Sequence, residues 1–296
     1  MKIMSIKPIY AIFIAFVAIF CISIIISKLI IKDGISNQFG KAIGVIEIKG
    51  MIVESNDYIH QLHSFRDNKR VKAVVLRIDS PGGVVGPTQE ICEEVRKFVR
   101  KKPLVVSMGS VAASGGYYIA APSNLIFANP GTVTGSIGVL MKLSNVQGLL
   151  GKIGLKIFVI KSGALKDSGS PLRPMSKEDR ALFQDVINSM HVQFVTAVSE
   201  GRRIPLQEVR KIADGRIFSG EQALQHKLVD RLGNFQDAVA AAAKLSGITE
   251  ENPKLIYPAK KKSSLLDFVI QGSSAWISDR IKSETDMSFR YEIPSE

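Results

Sequence analysis

Cysteine and histidine are scarce in this sequence, with two and four copies in 296 residues. Cys21 lies in an apolar run and Cys92 in an expected helix far from it, so no disulfide framework exists and the cysteines do not reveal the compartment. His60 and His63 stand three apart, but no Cys or carboxylate cluster with ligand spacing joins them, which makes them a solvated helix face rather than a metal site. His191 falls in an amphipathic run and His226 in a short helix; none of the four has a setting that suits a Ser-His-Asp triad. There is no internal repeat. No nucleic-acid motif accompanies the net charge of +12, so no nucleic-acid partner is expected; the basic surface either faces anionic lipid headgroups or is simply solvated.

Charge is also missing from one long stretch. From Ile9 to Ser27 the only polar residues are Tyr10, Ser23 and Ser27, and as a helix this run would span about 28 Å, close to the ~30 Å apolar thickness of a bilayer. We read a single transmembrane helix over residues 9–31, preceded by a flank at 1–8 and followed by a polar linker at 32–41. A cleaved signal peptide fits less well, because no small-x-small signature follows the run, and Phe20 before Cys21 argues against lipid modification. Lys2 and Lys7 on one side face Lys28, Lys32 and Lys41 on the other, so charge bias does not set the orientation.

Residues 42–247 read as one α/β domain. Buried-strand patterns at Ala42–Ile48, Ala73–Ile78, Leu104–Ser107 and Leu125–Phe127 alternate with helical patterns at Asp57–Asn68 and Pro87–Lys102. A short helix around Leu143–Lys152 leads to an apolar strand at Lys156–Ile160. Ser176, with Asp179 three residues on, caps a long helix whose Leu182, Phe183, Val186, Ile187, Met190, Phe194 and Val198 are expected in the core. Shorter elements follow, ending in a helix from Asn234 to about Leu245. Residues 248–296 form a tail in which Lys260–Lys262 precede Leu265, Leu266, Phe268, Val269 and Ile270. Such a tail is a free terminus, lies on a membrane surface or docks on a neighbouring subunit.

The chemistry centres on Met108–Ala121. Ser114 sits among small residues where a strand gives way to a helix, a geometry that exposes its hydroxyl beside backbone N–H groups. Read alone, the stretch is either a nucleophile turn or a glycine-rich turn with a serine cap. A serine nucleophile needs a base, and with no suitable histidine a lysine is the alternative. Its pKa must fall from about 10.4 toward neutrality, a change that corresponds to roughly 4 kcal/mol, so such a lysine needs a dry, well-packed pocket. Lys161 and Lys166 flank a small-residue turn after an apolar strand, and composition does not choose between them. Gly82-Gly83, following Pro81 at a strand end, and Gly115 beside the serine are the donors expected to hold an oxyanion.

Together these motifs carry a resemblance. Asp79-Ser80-Pro81-Gly82-Gly83, Ala112–Tyr118, Thr134-Gly135-Ser136-Ile137-Gly138-Val139, Lys161–Lys166, Ala213–Phe218 and Gly220–Ala223 are similar to the signal peptide peptidase A family in its short, single-domain form, over about Ile43 to Ala240. The resemblance implies a Clp protease/crotonase-like fold of repeated ββα units behind the anchor. It also implies a serine endopeptidase with a Ser/Lys dyad that degrades cleaved signal peptides and other unfolded peptides. It assigns Ser114 as nucleophile, Lys166 as general base, Gly83 and Gly115 as oxyanion donors and Ser136 as the residue orienting the lysine. It further implies a catalytic domain on the extracytoplasmic side of the cell membrane and no cofactor or metal. Because the family's tandem form splits lysine and serine between two halves, a single-domain chain is expected to share its dyads between subunits of a homo-oligomer. The rival readings are a crotonase-like acyl-CoA enzyme and a non-catalytic membrane scaffold of the same fold.

Overall fold

In a computed structural model, which describes residues 16–23, 40–259 and 290–292, the β-branched runs of the sequence form the middle of a parallel sheet. Strands β1 (Ala42–Lys49), β2 (Val71–Ser80) and β4 (Leu104–Ala113) lie side by side. Alternate residues feed opposite layers, as expected of strands covered on both faces. Ile43, Ala73, Val75 and Val105 pack under helix α8 (Phe235–Leu245) through Ala238, Val239, Ala242 and Ala243. Val74, Leu76, Ile78 and Val106 face the other way, in the core that includes Leu62 and Phe65 of α1 (Asn56–Asp67) and Ile91, Val95 and Phe98 of α2 (Val85–Val99).

The sheet runs β7 (Ile217–Phe218), β6 (Val133–Gly135), β4, β2, β1 and β9 (Lys254–Ile256), with β5 (Leu125–Ala128) pairing beside β4 and β8 (Arg231–Leu232) beside β5. β6 (Val133–Gly135) and β7 (Ile217–Phe218) make its one antiparallel pair among the described residues. β9 (Lys254–Ile256), from the expected tail, adds a parallel strand to β1. A second, two-stranded sheet joins β3 (Gly82–Val84) to β10 (Arg290–Glu292). The result is a mixed α/β fold with a parallel sheet, as the strand and helix patterns predict.

Helix α3 (Gly115–Ala120) follows β4, α4 is Gln147–Lys152, and α5 (Lys177–Arg202) is the long helix. α6 (Leu206–Ile212) and α7 (Gly220–Gln225) complete the set. Ser176 caps α5 as expected, in a reciprocal capping box with Asp179. Two expectations fail. Only the second half of α5 enters the core, through Phe194, Val195, Ala197 and Val198, while Leu182 is exposed and Phe183, Val186 and Ile187 are not fully buried. Lys156–Ile160 is no strand: it has no regular structure, and Phe158 and Ile160 are 87% and 101% exposed. Both segments have apolar residues that no layer among the described residues fully covers.

The chain divides into two compact units, Met1–Lys41 and Ala42–Glu296. In the first, residues 16–23 are helical, with Phe16, Ile19, Phe20 and Ile22 all largely exposed. Among the described residues no helix is long and apolar enough to cross a membrane. The flank at 1–8, most of the anchor expected over 9–31 and of the linker at 32–41, and the tail's Lys260–Ile270 segment lie outside the described residues.

Candidate active site

Parallel strands bring their carboxyl ends to one edge of the sheet, and the loops leaving β1, β2 and β4 meet there. β4 carries extra residues near its end: Ile78 pairs with Met108 but Ser80 with Ala112. Asp79 holds this irregularity by accepting the Val111 N–H at 3.0 Å, and Thr132 donates to the Gly109 carbonyl at 2.7 Å. A Cβ on Gly109 would come within 2.6 Å of the Asp79 carboxyl carbon, so the glycine is what lets the chain bend this closely.

The bend delivers Ser114 to the junction of β4 and α3 with φ 53° and ψ −116°. A non-glycine residue held there costs about 1–3 kcal/mol, so its surroundings must enforce it. They do so through both backbone groups: Ser114 donates its N–H to the Gly135 carbonyl at 2.8 Å and accepts the Tyr118 N–H at 2.8 Å. The side chain is treated differently. Ser114 is buried and its Oγ has no hydrogen-bond partner among the described residues, which leaves a hydroxyl whose donor and acceptor capacity is unspent. Thr88 Oγ1, next to Gly115, is likewise buried without a partner among the described residues.

The two amides expected as oxyanion donors lie beside it. β3 threads between the Ile52 backbone and α3, with Ile52 N–H donating to Gly82 O at 2.9 Å and Val84 N–H to Ile52 O at 2.8 Å. A Cβ on Gly83 would lie 2.0 Å from the Ile52 carbonyl oxygen, and one on Gly115 3.2 Å from the Gly83 nitrogen. Only paired glycines allow this approach. Gly83, Ser114 and Gly115 thus meet at one notch, and Ser136 follows the residue that holds the Ser114 N–H. Ser136 is itself buried at φ 50°, its N–H bonded to Arg216 O at 2.8 Å. α3 is six residues long and buried, so what it brings to the notch is the Gly115 amide rather than a long dipole.

Backbone amides beside a buried, strained serine that is unpartnered among the described residues suit acyl transfer, and sequence comparison places the chain among peptidases. A family model described as Peptidase family S49 matches residues 96–249, just over half of the chain, and a Clp protease model matches residues 44–132. The chain belongs to peptidase family S49. It is 41% identical over 216 residues to the Synechocystis protein named "Putative protease slr0021", covering 73% of this chain and 78% of that one. It is 36% identical to "Putative signal peptide peptidase SppA" of Enterococcus faecium over 74% of this chain and 67% of the relative. With "Protease 4" of Salmonella typhi the identity is 37% over 71% of this chain, which spans 36% of that longer protein. The expected serine peptidase and the expected family therefore stand.

Within this S49 peptidase the candidate lysines part company. Lys161 Nζ is engaged, donating to Asp167 Oδ1 at 2.5 Å and to Ala164 O at 2.8 Å. Lys166 is exposed, with its N–H on Gly163 O at 3.1 Å, and its ammonium makes no hydrogen bond to Ser114. The turn between them is pinned from behind. Arg173 donates to Asp167 at 3.0 Å and to Asp179 at 2.5 Å, and Ser168 Oγ donates to Asp179 at 2.6 Å. The Arg173 guanidinium, then Lys161, holds the Asp167 carboxyl down at about 2, and Arg173, then Ser168, holds that of Asp179 well below the usual carboxylate range.

No histidine competes for the serine. His63 bonds Glu94 at 2.6 Å, His191 the Ala213 carbonyl at 2.7 Å, and His226 packs on Phe218. Burial pushes the Cys92 thiol up to about 12, which makes it inert. Sequence reading missed two residues at the notch. Thr88 is an ordinary threonine in a helix pattern, and Tyr291 is one aromatic in a tail with no periodicity; neither carries a local signal.

Proposed function

We propose that this chain is a membrane-anchored serine endopeptidase in which Ser114 attacks the scissile carbonyl and Lys166 of a neighbouring copy takes its proton. The observation that carries the reading is the buried Ser114 hydroxyl, unpartnered among the described residues, at a strained backbone position beside the Gly83 and Gly115 amides. A lysine entering that dry notch sheds its proton more readily than one in water. Ser114 Oγ then bonds to the carbonyl carbon, and the oxyanion is held by the Gly83 and Gly115 N–H groups. The protonated lysine returns the proton to the leaving amine, and water, deprotonated by the same lysine, releases the acyl group and regenerates Ser114. Ser136 orients the lysine. The mechanism uses protein groups alone.

A shared dyad is favoured by what surrounds Lys166. Leu149, Ile153, Ile157, Phe158 and Ile160, ahead of the Lys166 turn, are all exposed, an apolar surface that the described residues of one copy leave uncovered. A second copy supplies both the cover and the missing base. The apolar Ile9–Ser27 run, helical over residues 16–23, supports the anchor. An anchored peptidase acting outside the cytoplasm would meet signal-peptide remnants and other unfolded peptides at the membrane. A fluorophosphonate probe tests the nucleophile: it should label the wild type and not Ser114→Ala, and labelling that survives the substitution would overturn the assignment.

A further inference from the structure

Among the described residues two side-chain hydroxyls are fully enclosed and without a hydrogen-bond partner, and both border one glycine. Ser114 Oγ belongs to the residue before Gly115. Thr88 Oγ1, one turn into α2, lies 3.0 Å from the point where a Cβ on Gly115 would sit. The Gly83 nitrogen is 3.2 Å from that same point, and the Gly115 nitrogen is 2.8 Å from the corresponding point on Gly82. Thr88 therefore meets the notch from the helix side, where the two proposed oxyanion amides converge.

A threonine inside a helix ordinarily returns its hydroxyl to the carbonyl three or four residues back, and Thr88 makes no such bond. Elsewhere in the fold the same group is engaged. Thr132 donates to the Gly109 carbonyl at 2.7 Å, Thr134 to that of Ala112 at 2.6 Å and Ser123 to that of Ala120 at 2.8 Å. A buried hydroxyl without a partner destabilises the chain that holds it, whereas an apolar group of the same shape does not. Valine is that group. With threonine at position 88 the resting chain gives up stability and keeps a free donor beside the Gly83 and Gly115 amides.

We propose that Thr88 is a third donor of the oxyanion site. Its O–H, uncommitted in the resting chain, turns about the Cβ–Oγ1 bond toward the scissile carbonyl oxygen as negative charge gathers there. Thr88 keeps its proton throughout; it gives a hydrogen bond that the neutral carbonyl receives weakly and the oxyanion strongly. A gain confined to the charged state appears in kcat and not in KM. This rests on the reading of Gly83–Ser114–Gly115 as the acyl-transfer site, and the labelling arm of its test separates the two.

Thr88→Val in the full chain keeps the shape and removes the donor. Peptide hydrolysis should show kcat lowered by at least about tenfold with KM within about twofold, while thermal unfolding occurs at the wild-type temperature or above it. Thr88→Ser, which restores the hydroxyl without the methyl, should recover most of the lost kcat. For Thr88→Val, a kcat within about twofold of wild type, a loss confined to KM or unfolding at a clearly lower temperature would each overturn the proposal. A serine variant as slow as the valine one would overturn it too. Should Thr88→Val not fold, Thr88→Ala replaces it, and an alanine variant as fast as Thr88→Ser refutes the proposal. The rate of fluorophosphonate labelling is then compared between wild type and Thr88→Val, or Thr88→Ala in its place. Slower labelling of the variant is expected. Equal rates would sink this proposal alone, whereas a wild type that takes no label would sink the acyl-transfer reading beneath it.

Discussion

Lys161 and Lys166 are five residues apart and indistinguishable by composition, yet their surroundings differ. Lys161 is tied to Asp167 and the Ala164 carbonyl, whereas Lys166 sits exposed on the same turn. Replacing Lys161 with alanine should loosen the turn and cost less than about tenfold in kcat. Lys166→Ala should cost on the order of 10³-fold, the scale of a lost general base. Peptide hydrolysis by both variants measures the difference, and equal losses would remove the distinction. Gly83 gives a second contrast. A methyl there would lie 2.0 Å from the Ile52 carbonyl oxygen, which forces β3 to move. Gly83→Ala should lower kcat by about 10²-fold or more through a misplaced oxyanion donor, while Gly86→Ala, with open space around it, should leave kcat within about twofold.

The turn that carries Lys166 owes its shape to charges rather than to apolar burial, which makes it sensitive to acid. Asp167 is held at about 2, below the ordinary 3.8, by Arg173 and then Lys161. A carboxyl depressed by folding stabilises the fold above its ordinary pKa, and that contribution is lost as pH falls from about 4 through about 2. Amide exchange in residues 161–173, corrected for intrinsic rates, should accelerate across this window, and in Asp167→Asn it should be fast already at neutral pH. Exchange that ignores both would show that the ion pairs do not hold the turn. This element marks where sequence stops informing. β1, β2, β4 and the α5 cap were legible because β-branched runs and the Ser176–Asp179 pair act locally. Lys156–Ile160 has the same β-branched character but, among the described residues, no neighbouring strand, so its periodicity misleads. β9 and β10 are three residues each, and their pairing depends on β1 and β3 being in place.

Taken as a molecule, one copy carries the proposed nucleophile Ser114 and the proposed oxyanion donors at one edge, the proposed base Lys166 on an exposed turn, and between α4 and that turn an apolar segment that no described residue covers. α5 adds to the uncovered surface through Leu182 and Val192. The notch was readable from Gly82-Gly83 and Ser114, since glycine pairs and strand ends mark close backbone approach. What would cover Phe158 and Ile160 was not, because an exposed apolar residue does not itself say what meets it. If a second copy is the cover, charge placed there must break assembly and activity together. Phe158→Asp/Ile160→Asp should shift the detergent-solubilised chain from oligomer to monomer in sedimentation and lower peptide hydrolysis by at least about 10²-fold, because the base no longer arrives. Leu245→Asp, also exposed but on α8, should do neither. Complementation then separates a shared dyad from mere stabilisation by assembly. Ser114→Ala and Lys166→Ala chains, each inactive alone, should regain activity when mixed, because some interfaces pair an intact serine with an intact lysine. Adding Phe158→Asp/Ile160→Asp to both partners should abolish that rescue. Mixed chains that co-assemble but stay inactive would place serine and base within one copy, and would require the Lys166 turn to fold back onto its own notch.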